Sequence, residues 1–463
     1  MTPPRNSNAA RDIAHALHPY TDARAHEANG PMVITRGEGC RVWDDQGRSY
    51  IDTVAGLWCA ALGFSNERLV AAATAQMQKL PFYHAFTSKS HEPMIDLSEM
   101  LIDRAPVPMS KVFFGNSGSE ANDSALKMVW YFNNAIGRPL KKKVISRIKG
   151  YHGVTVASAS LTGLPNNHRL FDLPIQGVLH TMTPHHYREA LPGESEDDFA
   201  TRCAAELEAM ILREGPETVA AFWAEPIMGA GGVIVPPAGY FAKIQAVLRK
   251  YDVLLVVDEV ICGFFRTGQY WGTQSLGIEP DILVCAKALS SSYLPISAVM
   301  VNDRVYQGIA DGSASIGTFG HGFTYSGHPV AAAVAIETLK LYDEMDMQGH
   351  VDRVGPLLQA GLKRLGQHPL VGEARGMGMI GAIELVEDRA SKRSFDPARK
   401  IAARAAKLCE AEGLIMRILP GDGIAFSPPL VISAEEIAQV IDGVERALDK
   451  LAVELRREGF ALV

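Results

Sequence analysis

Three apolar runs constrain this chain more than any other feature: "TVAAFWAE" (218–225), "DVLLVVDEV" (252–260) and "DILVCAK" (281–287). Each is apolar on both parities, so neither face of the strand it forms can meet water and helices have to cover both sides. A mainly parallel sheet inside a layered α/β domain satisfies that demand. Each run also carries a charge at or near its end: Glu225, Asp258 and Lys287. Ligands of open parallel sheets bind outside the carboxyl ends of the strands, so the three charges are expected to converge on one site.

The neighbouring sequence extends this pattern. "KVFFG" (111–115) and "KKVISRI" (142–148) read as further strands, and "ERLVAAATAQMQKL" and "NSGSEANDSALKMVWYF" as helices. After about residue 330 long amphipathic helices such as "VAAAVAIETLKLYDEM" and "ARKIAARAAKLCEAEG" take over, with short strands at "GAIELV" and "GIAFSPPL". We therefore expect a large domain over 66–330 and a smaller α+β domain built from both termini, 1–65 and 331–463. No internal repeat or low-complexity tract interrupts this order.

The totals exclude several classes. The 463 residues are 47% hydrophobic and 21% charged, enough for a large core in a globular protein. A net charge of -7 argues against general nucleic-acid binding, which needs clustered cations. The one basic cluster, Lys141 to Lys143, reads as a solvated approach to a strand. Cys40, Cys59, Cys203, Cys262, Cys285 and Cys409 form no C-x-x-C pair and read as reduced, mostly buried thiols. With no signal-length apolar core at the N-terminus and no membrane-length apolar run, the expected location is the cytoplasm, without a membrane partner.

A partly buried lysine loses its proton more easily and becomes a nucleophile able to form a Schiff base with a carbonyl. Pyridoxal 5'-phosphate chemistry needs such a lysine, a carboxylate beside the ring nitrogen and a cradle for phosphate. Lys287 and Asp258 suit the first two needs. "GNSGSEAN" (115–122) follows a strand and opens a helix, so Ser117, Gly118 and Ser119 could hold a phosphate at the positive end of the helix dipole. "KGYHG" (149–153) offers Tyr151 and His152 at another strand end. "GMGMIG" (376–381) matches a dinucleotide fingerprint but precedes a strand, and reads as a turn instead. The histidines of "HTMTPHHYRE" lack metal-ligand spacing, and no metal site is expected.

In this order and spacing, "GNSGSEAN", "GYHG", "AEPI", "LLVVDEVICGFFRTG" through "KAL", "HGFTYSGHP", "RGMGMIGAIEL" and "MRILPGDGIAFSPPL" resemble the class III aminotransferases of fold type I. The resemblance runs from about residue 20 onward. It implies a seven-stranded, mainly parallel sheet and pyridoxal 5'-phosphate as cofactor. By position, Lys287 is similar to the Schiff-base lysine and Asp258 to the partner of the pyridine nitrogen. Ser117, Gly118 and Ser119 are similar to the phosphate turn, Tyr151 to the residue stacking on the ring, and Val260 to the one packing beneath it. Glu225 resembles the glutamate near the cofactor, and His152 is expected among the cofactor-binding residues. Thr324 resembles the threonine that reaches a neighbouring subunit's phosphate, which implies a homodimer, or a tetramer built from it, with shared active sites.

Within the class, "AGLWCAALGF" and the segment holding Arg417 most resemble amine:pyruvate (omega) transaminases. That likeness implies that Arg417 binds the carboxylate of pyruvate or alanine, that Trp58 and Phe86 wall the substrate pocket, and that Tyr20 closes it. Donors such as beta-alanine, taurine, 4-aminobutyrate or S-adenosylmethionine, or 2-oxoglutarate as acceptor, form the alternative. The chain departs from its relatives in three places. Phe265 and Ser292 stand where relatives commonly have glycine, and "ADGSASIGTFG" (310–320) is longer than typical.

Overall fold

In the computed structural model, which describes residues 7–461, seven strands build the central sheet. In chain order they are β1 Lys111–Gly115, β2 Lys143–Arg147, β3 Val178–Thr181, β4 Val219–Ala224, β5 Leu254–Asp258, β6 Ile282–Cys285 and β7 Ser297–Val301. Their spatial order is β1-β7-β6-β5-β4-β2-β3. β2 to β6 pair in parallel, while β7 runs antiparallel to both β1 and β6. Burial follows parity, as the apolar runs require. Leu254 and Val256 pack with Ala125, Leu126 and Val129 of the helix Gly118–Ala135 on one face. Leu255 and Val257 meet Leu207 and Ile244 of the helices Glu196–Glu214 and Tyr240–Lys250 on the other. Each such side chain contributes about 1.5–3 kcal/mol of burial. A charge introduced at any of them would have no water on either side to solvate it.

The two ends of the chain share a second sheet. Strands Ile34–Glu38, Arg41–Asp44 and Ser49–Asp52 are joined by Leu414–Ile415, with Leu414 opposite Ile51 and Ile415 opposite Asp52. A third sheet orders Val371–Met377, Ile380–Leu385, Gly423–Phe426 and Arg417–Leu419. "GMGMIG" lies in its first hairpin, where Gly378 turns at φ +57° with its Cα against the backbone of Thr267 and Gly268. It opens no helix. No helix among the described residues is long and apolar enough to cross a membrane.

Four features differ from the sequence expectation or refine it. β3 is short and mixed in polarity, and β7 follows a serine-rich turn, so neither run stands out in the sequence. Lys141 is buried rather than solvated, and its Nζ donates to the carbonyls of Tyr251 and Asp252. Much of "ADGSASIGTFG" is the end of a helix, Asp303–Ile316. All six cysteines are free thiols, and Cys59 alone is not fully buried.

Candidate active site

β4, β5 and β6 are adjacent and parallel, so Glu225, Asp258 and Lys287 follow one another at their carboxyl ends. Lys287 lies two residues beyond β6 and begins a short 3-10 turn, Lys287–Ser290, with its own φ at +52°. A non-glycine residue held there is strained, and such strain persists only where the surroundings over-determine it. Burial lowers the pKa of the Lys287 ammonium below the ordinary lysine range. Cys59, Asp258 and Glu225 pull it back, while Arg417 adds to the depression.

Asp258 is 4% exposed and thoroughly engaged. Its Oδ2 lies 2.7 Å from Asn122 Nδ2 and 2.9 Å from His152 Nδ1, and its Oδ1 accepts from the Val260 amide at 3.0 Å. Asn122 was not singled out by sequence, although it closes the motif "GNSGSEAN". Its four-residue spacing from Gly118 places it one helical turn inside that helix, on the face toward the sheet. His152 Nε2 is buried without a hydrogen-bond partner among the described residues. Glu225 bridges two loops: Oε1 accepts from the Tyr151 amide at 3.0 Å and Oε2 from the Gly229 amide at 2.8 Å. Burial raises its pKa, with His152 opposing.

Ser117 caps the helix Gly118–Ala135, its Oγ accepting from the Glu120 amide at 3.2 Å. The first N–H groups of any helix lack an intrahelical acceptor, so those of Gly118 and Ser119 are free to meet an anion. Ser119 Oγ accepts from the Val154 amide at 3.1 Å, tying this turn to the loop that carries Tyr151 and His152. Two glycines let the chain approach closely there. A Cβ on Gly118 would lie 3.1 Å from Val260 Cγ1, so the turn rests on Val260. Gly153, at φ +130°, leaves room for nothing larger, since an added Cβ would come within 2.5 Å of Ser119 Oγ.

The outer wall is looser. Tyr20 is 67% exposed, its ring centroid 6.5 Å from that of Tyr151, and its hydroxyl accepts from Asn167 at 2.5 Å. Trp58 is only 2% exposed and packs with Ile227, Cys262 and Leu419. The Arg417 guanidinium lies 6.0 Å from the Trp58 ring centroid. Arg417 has no carboxylate partner among the described residues, and its buried Nε has no acceptor. Burial lowers its pKa, with Tyr151 and Tyr20 opposing. Phe86 is 45% exposed and packs beside Gly322, whose added Cβ would lie 3.3 Å from Phe86 Cζ, and Thr324 is exposed on the same segment.

Comparison with known proteins agrees with this architecture. Residues 23–448 match the family model "Aminotransferase class-III". A gamma aminobutyrate transaminase 1, mitochondrial, of Solanum lycopersicum is 50% identical over 96% of this chain and 86% of its own length. Among solved structures, the omega transaminase from Pseudomonas jessenii in complex with PMP superposes with a TM-score of 0.95. It is 58% identical, and the match covers 96% of this chain and 98% of that one. A thermostable omega transaminase variant, W58M/F86L/R417L, engineered for asymmetric synthesis of enantiopure bulky amines, gives 0.95 at 57% identity, covering 96% and 99%. This chain belongs to the class III aminotransferases, fold type I enzymes that use pyridoxal 5'-phosphate.

Proposed function

We propose that this enzyme transfers an amino group from a primary amine or an omega-amino acid to pyruvate, giving alanine and a ketone or aldehyde. The observation that carries the reading is Arg417. A half-buried guanidinium with an orphaned Nε and no acidic partner among the described residues is poorly solvated until an anion arrives. Its planar fork suits a carboxylate in a bidentate pair. Pyruvate and alanine bring that carboxylate, whereas an aryl-alkyl amine does not, so the guanidinium has to swing aside for it. The engineered omega transaminase supports the reading, because this chain has Trp58, Phe86 and Arg417 at the same numbers. The curated relatives favour a second reading, in which 4-aminobutyrate is the donor.

The residues fit the cofactor. Asp258 sits at a strand end with Oδ1 engaged by a single amide, the Ser117–Ser119 turn presents helix-opening N–H groups, and Lys287 lies on the neighbouring strand end. Bound pyridoxal phosphate supplies an electron sink for the charge left when the donor carbon loses its proton. In this proposal Lys287 anchors the group, and its Nζ, whose charged form is disfavoured by desolvation, takes the proton from the amine-bearing carbon. Asp258 would hold a proton at the ring nitrogen, with His152 bonded to its other oxygen. Ser117, Gly118 and Ser119 would bind the phosphate, and Tyr151 and Val260 would pack against the ring. Glu225 fixes the Tyr151 loop through its two amide contacts. Trp58 walls the pocket and Tyr20 closes it.

Phe86 is half-exposed beside Gly322 and Thr324 is exposed two residues further on, which fits a homodimer in which each subunit lends these residues to its partner's pocket. The decisive experiment is a donor and acceptor panel read by the cofactor's visible band. An aryl-alkyl amine should bleach the band and pyruvate should restore it. Bleaching by 4-aminobutyrate alone, with recovery only on 2-oxoglutarate, would establish the second reading instead.

A further inference from the structure

We infer that Asn122 is a positioning residue that dictates which oxygen of Asp258 faces the cofactor's ring nitrogen. The argument starts at Trp223, a fully buried side chain whose indole N–H can only donate. It donates to Asn122 Oδ1 at 2.8 Å, which fixes the orientation of the amide: Oδ1 faces the indole and Nδ2 faces away. The two N–H bonds of Nδ2 are then committed, one to Asp258 Oδ2 at 2.7 Å and the other shared between the carbonyls of His152 at 2.8 Å and Gly118 at 3.2 Å. A flipped amide would set an oxygen against a carboxylate and leave the buried indole without an acceptor, which is an expensive arrangement in a dry interior.

Asp258 Oδ2 therefore receives two donors, Asn122 Nδ2 and His152 Nδ1, because a carboxylate oxygen only accepts. Both of its in-plane lone pairs are occupied. Asp258 Oδ1 receives one donor, the Val260 amide, and keeps a lone pair for another. Asn122 and His152 together clamp Oδ2 and turn Oδ1 toward the site. Asn122 also spans the three pieces that meet there. It grows from the phosphate-side helix, holds the backbone of the Tyr151–His152 loop through the His152 carbonyl, and reaches the end of β5. One amide thus touches the phosphate-side helix, the stacking loop and the carboxylate, but only its bond to Asp258 Oδ2 bears on the ring nitrogen.

This inference rests on the reading of Asp258 as the partner of the ring nitrogen, and the test separates the two. The probes are pyridoxal phosphate and its 1-deaza analogue, in which carbon replaces the ring nitrogen, each titrated into apoenzyme and followed by equilibrium dialysis. Wild-type apoenzyme should bind pyridoxal phosphate more tightly than the analogue; equal affinities would remove the role of Asp258 itself. Asn122→Ala should weaken pyridoxal phosphate binding about 10- to 100-fold, the worth of a hydrogen bond to a charged group, and leave binding of the analogue within about twofold. Asn122→Asp, which opposes a carboxylate to Asp258, should lose more. Trp223→Phe, which frees the amide to rotate, should reproduce part of the Asn122→Ala loss. If wild type discriminates between the two probes and Asn122→Ala discriminates equally well, or loses affinity for both alike, Asn122 is a packing residue and the inference falls. The melting temperature of each apo variant shows whether it folds, and Asn122→Ser, which keeps a donor at this position, should recover part of the discrimination if positioning is the role.

Discussion

The two halves of the site are built on opposite principles. Around Asp258 each carboxylate oxygen is held by donors, and the donors are in turn held by a helix, a loop and a strand end. Around Arg417 the reverse holds: the cation has no acidic partner among the described residues, its Nε has no acceptor, and its neighbour Tyr20 is largely solvent-exposed. Although His152 Nε2 has no partner among the described residues, turning the Asn122 amide would strand further polar groups, so this network favours one arrangement. An unsatisfied cation has a reason to move. The cofactor side is thus a fixed frame and the substrate side an adaptable one, which suits the proposed reaction, in which an amine without a carboxylate and pyruvate use one pocket in turn.

Lys287 stands at the junction of the halves, and its replacement should have the largest effect. Lys287→Ala is expected to reduce turnover by roughly 10^4-fold or more, since on the proposed mechanism it removes both an anchor and a general base, as measured by single-turnover bleaching of the cofactor band. The pH dependence has a definite sign. Burial disfavours the ammonium, so in the apoenzyme the Lys287 amine becomes free at lower pH than the ordinary value of about 10.4. Its acylation by an amine-reactive reagent, followed by peptide mapping, should rise and level off below that pH. A titration at the ordinary value would mean that the site is wet. Arg417→Ala comes next and tests the contrast directly. KM for pyruvate should rise about 100-fold, as expected for losing a bidentate charged pair, while KM for 1-phenylethylamine stays within about twofold. Equal changes in both would make the substrate half as rigid as the cofactor half.

The rigid half was largely legible in the sequence because its logic is local. Apolar runs ending in a charge declare both their burial and the point where they reach a ligand, and Glu225, Asp258 and Lys287 do emerge from adjacent strands. Asn122 was not legible, because its partners lie 136 residues away at Asp258 and 101 away at Trp223, and an asparagine four residues into a helix looks like any polar residue. Lys141 misled for a related reason. Flanked by other lysines it suggests solvent, whereas two carbonyls at the far end of a helix, Tyr251 and Asp252, draw it inside. Phe86 shows a further boundary: its sequence neighbours say nothing about which surface it packs on, and within one chain it meets Gly322 rather than Trp58.

Smaller effects should expose how the fixed frame is held. Phe265, which takes the place of a glycine common among relatives, sits at φ +69° and is 5% exposed, its ring 4.9 Å from Tyr270 and 5.7 Å from Tyr342. Phe265→Gly relieves about 1–2 kcal/mol of left-handed strain but removes a buried ring worth about 3–5 kcal/mol. The net expectation is a loss of about 2 kcal/mol in denaturant unfolding.

Ser292 is the mirror case. It too replaces a common glycine, at φ +58°, but its side chain is exposed and its amide donates to the Lys287 carbonyl at 3.1 Å, closing the turn that carries the lysine. Ser292→Gly relieves the strain while removing almost no packing. The added freedom of the unfolded chain offsets part of that relief, about 0.5–1 kcal/mol. A gain of about 0.5 kcal/mol is expected, read as a small rise in the unfolding midpoint at unchanged m-value. If Ser292→Gly instead destabilises the protein, the strain in this turn is supported by contacts of the serine itself. The frame around Lys287 would then be as tightly specified on its solvent side as it is around Asp258.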